Sequence, residues 1–106
     1  ELRSEMLSRF IPQVYTPNKV SNGVYSIGGL DSQRLERSII NIMIGGSTVI
    51  TFPGAQIFFI LGSYALVNYR HYGSDYSLNL TYSNGVLTLT CGSTNHDITK
   101  IVITTL

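Results

Sequence analysis

Ser38-Ile39-Ile40-Asn41-Ile42-Met43-Ile44-Gly45-Gly46-Ser47-Thr48-Val49-Ile50-Thr51-Phe52-Pro53-Gly54 opens a run of 32 residues, Ser38 to Tyr69, without a charged side chain. Ile, Val, Phe and Thr dominate the run, and such residues fit a pleated, half-buried surface. Gly45-Gly46, Pro53-Gly54 and Gly62-Ser63 interrupt it at intervals that suit strands of roughly five to eight residues. With a three-residue loop at Gly45-Gly46-Ser47, Ile44 faces Thr48, Ile42 faces Ile50, Ile40 faces Phe52 and Asn41 faces Thr51. Apolar meets apolar and polar meets polar, as a hairpin with one buried face requires.

Something must cover this run, and a membrane is a poor candidate. A spanning helix needs about 20 mostly apolar residues in a row, whereas the longest unbroken stretch here, Ala55 to Leu61, is far shorter and contains Gln56. The 106 residues suit a single domain. A chain of this size hides only about two-thirds of its unfolded surface. With 43% hydrophobic and 12% charged residues, against about a quarter charged in ordinary soluble domains, the composition favours an oligomer. The net charge is +1 and the seven basic residues are scattered, so no stripe is present to track phosphates and no nucleic-acid partner is expected. Cys91 is the one cysteine, which excludes an intrachain disulfide and a zinc set.

Elsewhere the signals are also those of strands and turns. Asn84-Gly85 is a strong two-residue hairpin signal. It places Tyr82 opposite Leu87, Leu80 opposite Leu89 and Leu78 opposite Cys91 on one face, with Thr81 and Thr88, and Asn79 and Thr90, on the other. Cys91 then reads as a small core residue. Between Gln13 and Gln33, Pro17-Asn18, Asn22-Gly23 and Gly28-Gly29 mark a segment of loops and short strands, with residues 24–27 the best strand candidate. Residues 34–44 read as a strand or a short helix, because Leu35, Ile39 and Ile40 also share a helical face. Residues 56–61, 64–72 and 98–104 complete the expected strands. The opening segment is different, since Leu2, Met6 and Phe10 fall four apart on a helical face that Pro12 ends. Residues 1–12 are therefore expected to be a short helix, either a cap on the domain or the end of a coiled-coil stalk, and residues 13–106 an all-β domain. The tight turns and strand count point to an antiparallel β-sandwich or jelly roll.

Catalysis is not expected. Of the six acids, Glu1 and Glu5 belong to the N-terminal helix, while His71 with Asp75 and His96 with Asp97 lie in turns, where these residue types are common and proximity in sequence has no triad information. No metal motif, phosphate loop or dinucleotide fingerprint is present, and no cofactor is expected. Recognition is better served. The segment Asn68-Tyr69-Arg70-His71-Tyr72-Gly73-Ser74-Asp75-Tyr76 gathers aromatic plates beside planar hydrogen-bonding groups, a combination that suits a sugar ring. Asn68, Arg70, His71, Tyr72 and Asp75 are the candidate ligand-binding residues, with Asn95 and His96 from the polar loop of residues 93–97.

A helical stub ending at Phe10-Ile11-Pro12, a charge-poor β-domain from residue 13 to 106, and a hydroxyl-rich last strand together resemble the C-terminal head of a bacteriophage tail fibre or baseplate receptor-binding protein. The resemblance implies a homotrimeric β-sandwich set on a stalk at the virion tail tip, binding a saccharide or glycopolymer on the host surface. It also implies that the apolar run is shared among three subunits. The absence of Trp, the commonest sugar platform, departs from that pattern. Two other readings share the fold: a structural virion or stalk-capping module without a ligand, and an extracellular bacterial adhesin or pilus-like module that accepts a partner's strand.

Overall fold

The computed structural model describes residues 12–45, 48–59, 64–93 and 96–106. The expected N-terminal helix falls on residues 1–11, outside the described residues, as do Gly46, Ser47 and Asn95.

Among the described residues, nine strands and two short helices follow one another as β1 (Gln13–Tyr15), β2 (Asn18–Ser21), β3 (Val24–Ile27), α1 (Ser32–Glu36), β4 (Ser38–Ile44), β5 (Thr48–Pro53), α2 (Ala55–Phe59), β6 (Tyr64–His71), β7 (Ser74–Ser83), β8 (Val86–Cys91) and β9 (Ile98–Thr105). They form two antiparallel sheets, one of four strands in the order β1-β9-β4-β5 and one of five in the order β2-β3-β8-β7-β6. Both hairpin registers read from the sequence are present. Ile40 pairs with Phe52, Asn41 with Thr51 and Ile42 with Ile50 in β4–β5, and Leu78 pairs with Cys91, Leu80 with Leu89 and Tyr82 with Leu87 in β7–β8.

Period-two alternation then sorts the side chains. Ser38, Ile40, Ile42 and Ile44 of β4 are buried and the residues between them are half-buried. Ile42, Leu78, Leu80, Leu89 and Ile101 are fully enclosed in a single core cluster fed by both sheets. The inward half of the charge-free run is thus covered by the chain's own second sheet and needs no partner. Each such Ile or Leu contributes roughly 1.5 to 3 kcal/mol by leaving water.

Two segments differ from the sequence expectation. Residues 56–61 read as a strand from the sequence, but Ala55–Phe59 is the helix α2, and residues 60–61 lie outside the described residues. The reason is the corner before it. The Gly54 amide donates to the Ser38 carbonyl (2.7 Å), and a Cβ on Gly54 would overlap the Leu35 carbonyl oxygen, so the chain turns tightly against α1. From there one helical turn buries Ile57 and leaves Ala55 and Gln56 exposed, while Phe58 meets the Tyr82 ring edge-on at 5.4 Å. A short apolar run does not distinguish strand from helix by periodicity alone. Residues 34–44 resolve into both alternatives, with α1 ending at Glu36 and β4 starting at Ser38. Asp31 caps α1 by accepting from the Arg34 amide at 3.2 Å.

The two outward faces have different chemistry. On the four-stranded sheet the cross-strand rows are Val14-Val102-Asn41-Thr51, Thr104-Ile39-Pro53 and Lys100-Met43-Val49, with one charged residue among them. On the five-stranded sheet they include Ser26-Thr88-Thr81-Tyr64 and Val24-Thr90-Asn79-Leu66, continuing to Ser77-Asn68 and Asp75-Arg70. One face is largely apolar, and the other is a field of hydroxyls and amides.

Candidate functional site

The β6–β7 hairpin, whose register pairs Tyr69 with Tyr76, Arg70 with Asp75 and His71 with Ser74, positions most of the candidate residues. Tyr72 and Gly73 form its two-residue turn with φ of +49° and +81°, nearly the values of Asn84 and Gly85 (+50° and +83°) in the other hairpin. Two consecutive positive φ values match the twist of flanking strands, which is why Asn-Gly is favoured there. A tyrosine in that conformation is uncommon. It is also 83% exposed.

Alternation along β6 separates the candidates into two groups that do not converge. Asn68 and Arg70 face outward with Asp75, whereas Tyr69 and His71 point into the domain. The outward group lines an open groove of about 790 Å³, together with Ser77, Gly92, Tyr69 and Tyr76. Arg70 is held across its own turn, with Nη2 donating to the Gly73 carbonyl at 3.1 Å and Nη1 lying 3.9 Å from Asp75 Oδ1. That ion pair is solvated, so it orients the guanidinium more than it stabilises the fold. A Cβ on Gly92 would lie 2.9 Å from the Ser77 carbonyl oxygen. Glycine therefore lets the chain leaving β8 pass close over β7. Ser77 and Gly92 are absent from the candidates that the sequence suggests; two-residue periodicity back from Leu78 puts Ser77 on the outward face, but nothing local marks Gly92.

The inward group forms an aromatic cluster at the same end of the domain. His71 and His96 are each 7% exposed, and their rings are 4.4 Å apart. His71 Nδ1 shares a 2.7 Å hydrogen bond with Thr48 Oγ1 of β5. His96 Nδ1 shares another, also 2.7 Å, with the Tyr69 hydroxyl. Tyr76 meets the His96 ring edge-on at 4.5 Å and stacks with Tyr69 at 5.6 Å. The Tyr72 ring packs on His71 at 4.3 Å, leaning toward this cluster and away from the groove.

Burial, and secondarily the neighbouring His71, hold the His96 imidazole below its ordinary value. The Tyr69 phenol is pushed up to about 12, chiefly by burial, and stays a proton donor. Burial raises the Cys91 thiol to about 11, which leaves it inert at neutral pH. Asp97 is held below the usual carboxylate range by the 2.6 Å hydrogen bond it accepts from Tyr25, then by Lys19. Among the described residues, neither imidazole is hydrogen-bonded to a carboxylate, and no three His, Cys, Asp or Glu side chains group as metal ligands. No helix among them is long and apolar enough to cross a membrane.

No protein-family model, curated protein or solved structure matches the chain. The chemistry of the site rests on its own geometry. The groove offers a guanidinium, a carboxylate, a primary amide and a hydroxyl on one shallow surface. Those groups can share several hydrogen bonds with a polyol; they offer no activated nucleophile and no buried acid.

Proposed function

We propose that this domain recognises a saccharide on a host surface, in the manner of the receptor-binding head of a bacteriophage tail fibre or baseplate protein. The observation that carries this reading is the outward groove of Asn68, Arg70, Asp75 and Ser77, which continues into the hydroxyl and amide rows of the five-stranded sheet. Polyhydroxylated ligands exchange hydrogen bonds with water for bonds to such planar, bidentate groups. The two sheets around one core support a β-sandwich, and the consecutive pairing of β4 with β5 and of β6, β7 and β8 favours a plain sandwich over a jelly roll.

The same proposal assigns the other face to association. Val14 and Val49 are 61% and 55% exposed on the outward side of the four-stranded sheet, whose rows hold Lys100 as their one charge. Three copies meeting on that face around an axis would hide it and leave the polar faces and their grooves outside. This arrangement replaces the expectation that the whole apolar run is shared, because its inward half is already covered.

The test is binding of the protein to whole host-type cells and to a glycan array, with Arg70→Ala as the variant. A loss of at least tenfold in affinity, with unchanged thermal stability, is expected. Undiminished binding by Arg70→Ala would remove the groove from the proposal. Light scattering tests the association separately, with a species of three times 11.7 kDa expected and a monomer at all concentrations excluding it.

A further inference from the structure

We infer that the buried His96 imidazole, packed against Tyr69 and His71, is an acid-sensitive latch at the groove end, which loosens the closure of the chain there when His96 becomes charged. The inference stands on imidazole geometry, and only its consequence for binding rests on the groove reading.

Three separate parts of the chain close on these two rings. Thr48 belongs to the four-stranded sheet and His71 to the five-stranded sheet, so their 2.7 Å bond is a bridge between layers. Tyr69 ties β6 to His96, which lies just before β9. The β4–β5 turn presses on the same ring as Thr48, since a Cβ on Gly45 would lie 2.9 Å from His71 Cε1. The Gly45 amide in turn donates to the Asp97 carbonyl at 2.8 Å.

The two bonds respond differently to a proton. Thr48 Oγ1 also lies 3.5 Å from the Arg70 carbonyl, and a His71 Nδ1–H can donate to it in either charge state of the ring, so this bridge persists. With His96 Nδ1 unprotonated, the Tyr69 hydroxyl donates to it. A proton added at His96 Nδ1 makes the ring the donor, so the Tyr69 oxygen must accept and its O–H loses the acceptor it had. A positive charge on His96, which is 7% exposed with the His71 ring 4.4 Å away, is also poorly solvated.

Among the described residues, no neighbour offsets the charge. The groups facing the pair are the phenols of Tyr69, Tyr72 and Tyr76. The nearby charged groups are turned to solvent: Arg70 and Asp75 side chains are 70% and 83% exposed, and Asp97 is 67% exposed and occupied by Tyr25 and Lys19. A histidine held below its ordinary value binds its proton more readily in the unfolded chain, so stability falls as pH drops below about 6.5. Asp97 acts in a separate window, below its ordinary 3.8. Opening at this end frees Tyr69 and Tyr76, whose strands carry Arg70 and Asp75.

Melting temperature between pH 7.5 and 5.5 tests the latch on the wild type and His96→Gln, whose amide can still accept from Tyr69. The wild type is expected to lose roughly 5 °C or more over that interval, and the variant less than half as much. Equal losses in the two proteins would overturn the inference. Should His96→Gln fail to fold, imidazole NMR of the wild type decides. His96 remaining neutral at pH 6 supports the latch, and His96 titrating at 6.5 or above overturns it. Glycan binding by Arg70→Ala at pH 7.5 reports on the groove alone, so the two readings fail independently.

Discussion

The two hairpin tips form a matched pair from which the energetic role of Tyr72 can be measured. Tyr72 and Asn84 occupy the first turn position at φ of +49° and +50°, each followed by a glycine. The left-handed region costs a residue with a Cβ about 1 to 2 kcal/mol, and Asn relieves much of that through its short polar side chain. Tyr72 recovers part of the cost by packing its ring on His71 at 4.3 Å. That packing is worth about 0.5 kcal/mol, the low end for aromatic pairs, because Tyr72 is 83% exposed. Tyr72→Asn should therefore stabilise the domain by about 0.5 kcal/mol, since the backbone strain it relieves exceeds the ring packing it removes. Asn84→Tyr has no ring to lean on and should destabilise by about 1 kcal/mol. For a domain of this size 1 kcal/mol moves the melting temperature by about 4 to 8 °C, so thermal unfolding followed by circular dichroism separates the two variants with opposite signs. A Tyr72→Asn protein less stable than wild type by about 1 kcal/mol or more would refute the reasoning and make Tyr72 a packing residue. If Tyr72→Asn is more stable but binds host cells less well, the strain is retained for recognition, as expected of backbone outliers at working sites.

Gly54→Ala should destabilise by about 3 kcal/mol or more, because its Cβ meets backbone, not a movable side chain; urea unfolding would show it, and a loss under about 1 kcal/mol would mean the α1–α2 corner can shift. Tyr25→Phe removes the hydrogen bond that holds Asp97 low. The Asp97 contribution is present above its unfolded pKa and lost as pH falls below it, so the variant should be less stable at pH 7 and show a shallower decline below pH 4, with Asp97 titrating higher by carboxyl NMR. Cys91 should not react with a thiol reagent at pH 8 until the domain unfolds, since burial raises its pKa to about 11; rapid labelling of the native protein would contradict that placement.

Most of the fold is legible wherever two-residue alternation meets a turn signal. Ile40, Ile42 and Ile44 facing Phe52, Ile50 and Thr48 need only a loop length to fix the register. Residues 55–59 cannot be read that way. Ala55-Gln56-Ile57-Phe58-Phe59 has strand composition, and its helix follows from a tertiary constraint, the approach of Gly54 to the Leu35 and Ser38 carbonyls. Leu35 belongs to a helix whose cap, Asp31, is a usable local sign that the β pattern after Ser38 outweighs.

The candidate site shows the opposite relation between sequence and space. Asn68, Arg70, His71 and Tyr72 are neighbours along the chain, and that closeness suggests one surface. A strand denies it, because consecutive side chains leave on opposite faces. Arg70 therefore joins Asp75, Asn68 and Ser77 in the groove, and His71 joins His96 and Thr48 behind it. Asp75 can be assigned to Arg70 once Tyr72-Gly73 is recognised as the turn, but a tyrosine at that position hides the turn from any rule built on Asn-Gly. His96 reaches His71 only through the return of the chain before β9, a proximity no local pattern encodes. The division has a physical consequence. Groups free to meet a ligand lie on the outward face in water, while the titratable pair lies where charge is costly. One hairpin thus carries both a polar outward surface and, one residue out of phase, a buried imidazole.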